Sequence, residues 1–301
     1  MPFFRKGTKD QVNPVNPVYK IIKNMRYSLE IEIAGYLFDH HFEERCVLPA
    51  VEALIILAKV VQAHFPDINI RCLKTARFHR FLIIPQEARH LPASAELDQT
   101  TNGGISARLM TSLRSKTGGL GRSLEHARVE FSLVDRTQDQ LPPLPVSDNS
   151  ERSGVLIPKE LIYPGLIPFG KAFQNITGPV SVRPGGASAP LSGGDQGKEN
   201  DWLGSPFPLD AAFQVACIWG QRFTEQVLFP MGFEKRTIHQ KTKKGSLYQG
   251  RIFPAGGDRN LFLFNALIVD SQGTICEEIR GIQMQDVSQG RLRPPSWIKE
   301  L

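Results

Sequence analysis

The sequence is poor in cysteine and has no long apolar run. Its 301 residues include four cysteines, and none of them forms a Cys-x2-Cys pair. Such scattered thiols indicate neither a disulfide framework nor a zinc site. No stretch approaches the ~20 apolar residues that cross a bilayer, and residues 1–24 are polar and basic, without the apolar core of a signal peptide. We therefore expect a cytoplasmic protein without a membrane span.

Two further signals are missing from the sequence. No glycine-rich phosphate loop stands between a strand and a helix, and no basic stripe interleaved with aromatic residues is present. We therefore expect no bound cofactor and no nucleic acid partner. The chain nevertheless has 36 Lys and Arg against 30 Asp and Glu, a formal net charge of +6. This excess favours an acidic protein as partner.

Shifts in composition divide the chain into five parts. Residues 1–25 form a basic arm, 137–154 a linker rich in proline, serine and charge, and 291–301 a proline-broken tail. The two remaining parts, 26–136 and 155–290, each read as strand, turn, buried helix and further strands. This repetition predicts a duplicated fold.

Each half contains one apolar helix that follows a proline. In the first half Pro49 precedes apolar residues at helical spacing, and proline suits the first turn of a helix because its missing N–H is not needed there. In the second half the helix is predicted to begin near Leu209. Asp210 and Gln214 are four residues apart, so they share one face and the amide can hold the carboxylate.

Three other features are weaker. The glycine-rich segment 183–201 is expected to be unordered, either a flap over a site or, by preference, a tolerated surface insertion. His79 and His126 lie in strand-like runs and are expected on the solvent face. His40 and His41 precede the Pro49 helix, where imidazole can take a proton near neutral pH, although paired histidines at such a place are more often polar loop residues.

Four segments together favour a functional interpretation of His40 and Asp210. The stretch from His40 to Pro49 resembles the His-x3-Gly-x4-Pro signature of polyketide synthase dehydratase domains, and Asp210 to Gln214 resembles the Asp-x3-Gln of that family. Residues 163–174 are similar to the Tyr-Gly-Pro-x-Phe-Gln region, and Phe229 to Phe233 resembles the Leu-Pro-x-Gly segment. The four motifs stand in the expected order between residues 30 and 286.

The resemblance implies an α+β double hot-dog fold, two tandem units in which an antiparallel sheet wraps a central helix. It also implies a hydro-lyase that dehydrates a 3-hydroxyacyl thioester in polyketide or polyunsaturated fatty acid type synthesis. His40 would remove the α-proton, Asp210 would protonate the departing β-hydroxyl, and Gln214 would orient Asp210. Backbone donors after Pro49 would bind the thioester oxygen.

The resemblance further implies partners rather than a cofactor. The substrate would be carried on the phosphopantetheine arm of an acyl carrier protein, with other synthase components and a second copy of the chain as further partners. An acidic carrier protein would dock at a basic rim, for which Arg45, Lys171 and Arg222 lie closest to the motifs.

The sequence also departs from the family pattern. Glu44 replaces the signature glycine, and Phe169 and Lys171 replace the tyrosine and proline of the third motif, while Gly170 is kept. Glu44 favours one alternative, a non-catalytic double hot-dog scaffold or chain-binding module of a synthase. Another alternative is an acyl-thioester hydrolase or isomerase of the same fold.

Overall fold

The computed structural model describes residues 24–112, 122–133, 154–163, 165–197 and 202–301. Most of the predicted basic arm and of the predicted linker lies outside the described residues, so the domain boundaries stay predictions. Within the described part of the chain, no helix is both long and apolar enough to span a bilayer.

The described residues of the first half form one long helix and seven strands. A 3-10 turn, Gly35–Asp39, follows the first strand. The elements are β1 (Met25–Glu32), β2 (His41–Phe42), β3 (Arg45–Cys46), α1 (Ala50–His64), β4 (Asn69–Phe78), β5 (His90–Gln99), β6 (Ile105–Ser112) and β7 (Ser123–Ser132).

The second half repeats this plan with additions at its start and end. A second 3-10 turn spans Lys171–Phe173. The elements are β8 (Val155–Ile157), α2 (Lys159–Ile162), β9 (Val180–Arg183), β10 (Gly186–Ser192), α3 (Phe207–Phe223), β11 (Phe229–Ile238), β12 (Leu247–Gly257), β13 (Phe262–Asp270), β14 (Ile275–Gln285) and α4 (Trp297–Glu300).

Twelve of the strands form one antiparallel sheet. Their order is β1-β5-β6-β7-β4-β11-β14-β13-β12-β10-β9-β8, and β2 pairs with β3 in a separate hairpin. Helix α1 packs on β4, β5, β6 and β7, and α3 packs on β9, β10, β11, β12 and β13. Each half is therefore a hot-dog unit, and the predicted double hot-dog architecture is confirmed.

The two halves join where β4 pairs with β11. The register places Gly232 opposite Arg77 and Phe233 opposite Ala76. Gly232 has φ +152°, and a Cβ at this position would overlap the carbonyl oxygen of Ala76. Only glycine allows the two backbones to approach so closely. A glycine of the fourth motif thus belongs to the seam between the halves.

The central helices begin close to the predicted positions. Helix α1 starts at Ala50 directly after Pro49 and ends at His64, before Phe65-Pro66. Helix α3 starts at Phe207 and is buried on nearly all sides. Its sheet covers one side, while α1, α4 and the Lys171–Phe173 turn cover others. Polar side chains on α3 must therefore find partners inside the protein.

The expectation that segment 183–201 is unordered is wrong for residues 183–197, while residues 198–201 lie outside the described part of the chain. Residues 180–192 form the β9–β10 hairpin, and β10 pairs with β12 from Ala187 to Ser192. Gly186 has φ +155° and lies so close to Ile252 that a Cβ would overlap its carbonyl oxygen. The small side chains of this segment give little of the apolar alternation that predicts a strand. Pairing of the backbone with β12 orders the segment instead.

The expectation that His126 lies on the solvent face is also wrong. Its side chain is buried and contacts Thr111 Oγ1 at 2.8 Å through Nε2. The register of β6 and β7 shifts next to Leu109, so His126 and its neighbour Ala127 both face inward instead of alternating. His79 lies partly exposed as expected, 3.1 Å from Glu125.

Candidate active site

His40 is held at the end of the Gly35–Asp39 turn. Its Nδ1 lies 3.1 Å from the carbonyl oxygen of Val47. A carbonyl oxygen only accepts hydrogen bonds, so Nδ1 carries the hydrogen of the neutral imidazole. The lone pair therefore resides on Nε2, which is the tautomer that a base needs at that nitrogen.

The surroundings of His40 disfavour its charged form. The rings of Phe169 and Phe173 lie 4.4 and 5.0 Å from the imidazole, centroid to centroid. Burial lowers the pKa of His40 to about 4; the hydrogen bond to Val47 opposes the shift and the charge of His41 adds to it. The imidazole is therefore neutral at physiological pH.

Asp210 lies in the first turn of α3 and is also buried. Burial raises its pKa to about 7; the hydrogen bond from Gln214 opposes this shift and the charge of Glu52 adds to it. A carboxyl group with such a pKa is about half protonated at pH 7, so a substantial fraction can act as a general acid.

The structure brings His40 and Asp210 together. His40 Nε2 lies 3.8 Å from Asp210 Oδ1. This distance exceeds that of a hydrogen bond, so the two groups face each other without pairing. Because one residue comes from each half of the chain, the pair exists only when both hot-dog units are assembled.

Gln214 anchors the Asp210 carboxyl, as its spacing on the helix predicted. Its Nε2 donates to Asp210 Oδ2 at 2.8 Å and to the carbonyl oxygen of Phe173 at 2.9 Å. Its Oε1 accepts a hydrogen bond of 2.6 Å from the hydroxyl of Tyr163. Every polar atom of the amide is therefore satisfied inside the protein.

Asp39 is a structural residue of the site that the sequence did not single out. Its carbonyl oxygen accepts the N–H of Gly170 at 2.8 Å, and its Oδ2 accepts the N–H of Ala172 at 2.9 Å. A Cβ at Gly170 would overlap the Asp39 side chain. The retained motif glycine therefore lets the second half approach the His40 turn and places Phe169 beside the imidazole.

A buried polar chain holds the start of α3. The Arg236 guanidinium contacts Glu277 at 2.8 Å, and both side chains are almost fully buried. Thr242 Oγ1 lies 3.4 Å from Glu277 Oε1 and donates to the carbonyl oxygen of Ser205 at 3.0 Å. Because Ser205 lies two residues before the first residue of α3, this chain of contacts fixes the position from which Asp210 projects.

Glu44 occupies the tip of the β2–β3 hairpin and is exposed. Glu43 and Glu44 have φ values of +45° and +64°. Positive φ at both central residues is typical of a type I′ turn, in which glycine is favoured. Glu44 therefore adopts a backbone conformation in which glycine is favoured. Glu43 is anchored by Arg291, whose Nη2 lies 2.7 Å away.

The three predicted rim residues differ in their environments. Arg45 is exposed at the hairpin and lies 3.8 Å from Glu43, and Lys171 is exposed next to Gly170. Arg222 instead is part-buried and donates a hydrogen bond to the carbonyl oxygen of Ile298 in α4. Arg222 therefore binds the C-terminal tail.

A family model supports the resemblance found in the motifs. The model described as polyketide synthase dehydratase N-terminal domain matches residues 163–294 of this chain. These residues include Gly170, Asp210 and Gln214, while His40 lies before the match. A comparison with curated protein sequences gives no match.

Solved structures show the same fold over most of the chain. A dehydratase domain of a trans-AT polyketide synthase from Brevibacillus brevis is 18% identical with a TM-score of 0.70, covering 88% of this chain and 94% of its own. The CurF dehydratase domain of the curacin synthase is 20% identical with a TM-score of 0.69, covering 91% and 95%. A monomeric dehydratase domain from a trans-AT split module is 11% identical with a TM-score of 0.67, covering 88% and 100%.

The protein is a double hot-dog protein with a buried His–Asp pair between its two units. Residues 163–294 match the model of the polyketide synthase dehydratase N-terminal domain, and the described part of the chain has the fold of solved polyketide synthase dehydratase domains.

Proposed function

We propose that this protein is a hydro-lyase that dehydrates a 3-hydroxyacyl thioester in polyketide synthesis. The observation that carries the proposal is that the buried atoms His40 Nε2 and Asp210 Oδ1 face each other at 3.8 Å, where burial lowers the pKa of His40 to about 4 and raises that of Asp210 to about 7. Removal of water needs a base for the α-proton and an acid for the β-hydroxyl at the same time, and the pair offers both.

The proton transfers balance between these two residues. His40 Nε2 takes the α-proton, and the C–H electrons form the double bond as the bond from Cβ to oxygen breaks. The departing hydroxyl takes the proton of Asp210 and leaves as water. Asp210 becomes negatively charged as His40 becomes positively charged, so each developing charge stabilises the other across the short gap.

The start of α1 is the proposed site of the thioester carbonyl. Among the described residues, the N–H groups of Glu52 and Ala53 bond to the carbonyl oxygen of Pro49. The N–H groups of Ala50 and Val51 precede them and are the donors that a helix leaves unused. We assign these donors to the thioester oxygen, where such an interaction supplies ~3 kcal/mol per donor in other enzymes.

The two alternatives have less support. The scaffold hypothesis depended on Glu44, which is exposed at a hairpin tip and keeps the backbone conformation of a glycine. Hydrolysis would not require a protonated carboxyl group opposite a neutral imidazole, so the arrangement favours dehydration over hydrolysis.

The partners follow from the proposed substrate. A role within a synthase assembly fits the family, and we propose that an acyl carrier protein delivers the substrate on its phosphopantetheine arm. The chain's own residues then supply the chemistry, without a bound cofactor. Arg45 and Lys171 are the exposed cations nearest to the site motifs and are proposed to meet the acidic carrier.

Mass spectrometry of carrier-bound substrates tests the function directly. Carrier proteins loaded with 3-hydroxyacyl chains of several lengths are incubated with the protein, and loss of water is followed. We expect dehydration of at least one chain by the wild type and none by His40→Ala. Release of free acid from the carrier would instead identify a hydrolase, and an unchanged mass for every chain would support the scaffold.

A further inference from the structure

Tyr163 lies beside the proposed acid without touching it. Its hydroxyl donates to Gln214 Oε1 at 2.6 Å and accepts the N–H of Ile176 at 3.3 Å. The hydroxyl group thus connects the backbone of the second half to the amide that holds Asp210. Tyr163 stands six residues before Phe169, the position at which this chain lacks the hydroxyl of the family motif.

The hydroxyl of Tyr163 fixes the orientation of the Gln214 amide. With Oε1 occupied by Tyr163, the NH2 group points at Asp210 Oδ2 and at the carbonyl oxygen of Phe173. In the opposite orientation, Oε1 would face the carbonyl oxygen of Phe173. The NH2 group would then face the Tyr163 hydroxyl, which accepts the N–H of Ile176. The tyrosine therefore stabilises one of two amide orientations.

The amide orientation in turn decides which oxygen of Asp210 carries the proton. Oδ2 accepts the Gln214 N–H, so the proton of the neutral carboxyl group resides on Oδ1. Oδ1 is also the oxygen that faces His40 Nε2 at 3.8 Å. A reversed amide would accept a proton from Oδ2 and leave Oδ1 without one. Only the observed orientation aims the acidic proton into the site.

We propose that Tyr163 is a positioning residue that sets, through Gln214, the oxygen of Asp210 that carries the proton. The proposal rests on the proposed dehydratase function of the same site. Tyr163 does not contact the reacting atoms. Its effect is to keep the acid preorganised before the β-hydroxyl arrives.

The test compares Tyr163→Phe with a matched tyrosine elsewhere in the same half. Tyr248 is buried in β12, and its hydroxyl accepts the N–H of Lys243 at 2.6 Å, so Tyr248→Phe removes a comparable hydrogen bond away from Gln214. With a 3-hydroxyacyl N-acetylcysteamine thioester as substrate, we expect Tyr163→Phe to lower kcat about tenfold with little change in KM. Tyr248→Phe should change kcat less than twofold.

A double-mutant cycle separates positioning from general support of the fold. If Tyr163 acts through Gln214, then Gln214→Ala and the double variant Tyr163→Phe/Gln214→Ala should have the same kcat within about twofold. An equal loss from Tyr163→Phe in both backgrounds would overturn the proposal, because the tyrosine would then act by another route.

A readout without turnover keeps the proposal distinct from the proposed function. Carbon-13 NMR of the aspartate carboxyl carbons reports the titration of Asp210. Both variants keep His40 and Glu52 unchanged. In Tyr163→Phe a reversed amide no longer donates to the carboxylate, so the pKa should rise by about one unit. In Tyr248→Phe it should not change. An unchanged pKa in Tyr163→Phe overturns the proposal, whether or not the wild type dehydrates the substrate.

Discussion

His40 Nε2 and Asp210 Oδ1 face each other at 3.8 Å, close enough to act on one substrate but too far apart to share a hydrogen bond. Burial favours the neutral form of both groups, which fits the proposed roles of base and acid better than an ion pair. This relationship has consequences for rate, stability and pH dependence.

The pH dependence of kcat/KM should be bell-shaped. Activity requires neutral His40 and protonated Asp210, whose pKa values are about 4 and about 7. The rate should therefore fall above about pH 7 as Asp210 loses its proton, and below about pH 4 as His40 gains one. Stopped assays with a small thioester substrate measure the profile. A rate that kept rising to pH 9 would contradict the assignment of Asp210 as the acid.

Replacing Glu52 tests separately whether Asp210 causes the fall in rate at high pH, the alkaline limb of the profile. Its charge raises the pKa of Asp210, although burial is the larger cause. Glu52→Gln should therefore move the alkaline limb to lower pH, and the acid limb should stay in place. A shift to higher pH would mean that another group controls the limb.

Asp210→Asn should abolish activity and raise stability. We expect a ~10²–10⁴-fold loss of rate because the acid is removed. Burial raises the folded-state pKa of Asp210 from 3.8 to about 7, so the folded protein holds a proton that the unfolded chain has released between these values. Stability then falls as pH rises through this window. Urea unfolding should show Asp210→Asn to be more stable by about 4 kcal/mol at pH 8. The difference should shrink toward pH 4, and a difference independent of pH would refute the shift.

The two neighbouring histidines should have unequal roles. His40→Ala should lower dehydration by ~10²–10⁴-fold because it removes the base. His41 lies in β2, where it pairs with Cys46, and His41→Ala should lower the rate far less. Circular dichroism should show that both variants are folded. If His41→Ala were the more damaging change, the motif register that selects His40 would be wrong.

Glu44→Gly should stabilise the protein. A side chain at φ +64° lowers the stability of the folded protein by about 1–2 kcal/mol. Glycine removes this cost, but it also gives the unfolded chain more freedom, which offsets part of the gain. We expect a net gain of about 1 kcal/mol in thermal unfolding and no loss of activity. Glu43→Gly is the matched control, since it relieves similar strain but also removes the contact with Arg291. An inactive Glu44→Gly variant would show that Glu44 contributes to the site.

Charge reversal at the proposed rim should separate the carrier from the chemistry. Arg45→Glu with Lys171→Glu should weaken turnover of carrier-bound substrate several-fold, more at low salt than at high salt. Turnover of a small thioester should stay nearly unchanged. Arg259→Glu, an exposed site in the β12–β13 turn, serves as the control. Equal losses with both substrates would contradict carrier docking at the rim.

The sequence predicted those parts of the fold that have a strong local pattern. The helices after Pro49 and near Leu209 have periodic apolar residues, and their first residues agree with the structure within two positions. The β9–β10 hairpin lacked such a pattern because Gly186 and its small neighbours fit a strand only through pairing with β12. The inward position of His126 depends on a register shift between strands, which no local pattern specifies.

The candidate site was predicted to a similar extent. The motifs selected His40, Asp210 and Gln214, and the structure brings these three together. Asp39 and Tyr163 were missed because each acts across a fold-dependent contact, with Gly170 and with Gln214 respectively. Their partners lie more than 50 residues away in the chain, so only the assembled structure reveals them.

The β4–β11 seam has a consequence for refolding experiments. Because the first unit supplies the base and the second the acid, an intermediate in which only one unit has folded would have native secondary structure but no activity. Recovery of activity after dilution from urea would then report the docking of the two units, including the close fit at Gly232. Recovery of the circular dichroism signal would report the earlier formation of the strands and helices within each unit. The delay between the two signals would measure the time that the units need to find each other.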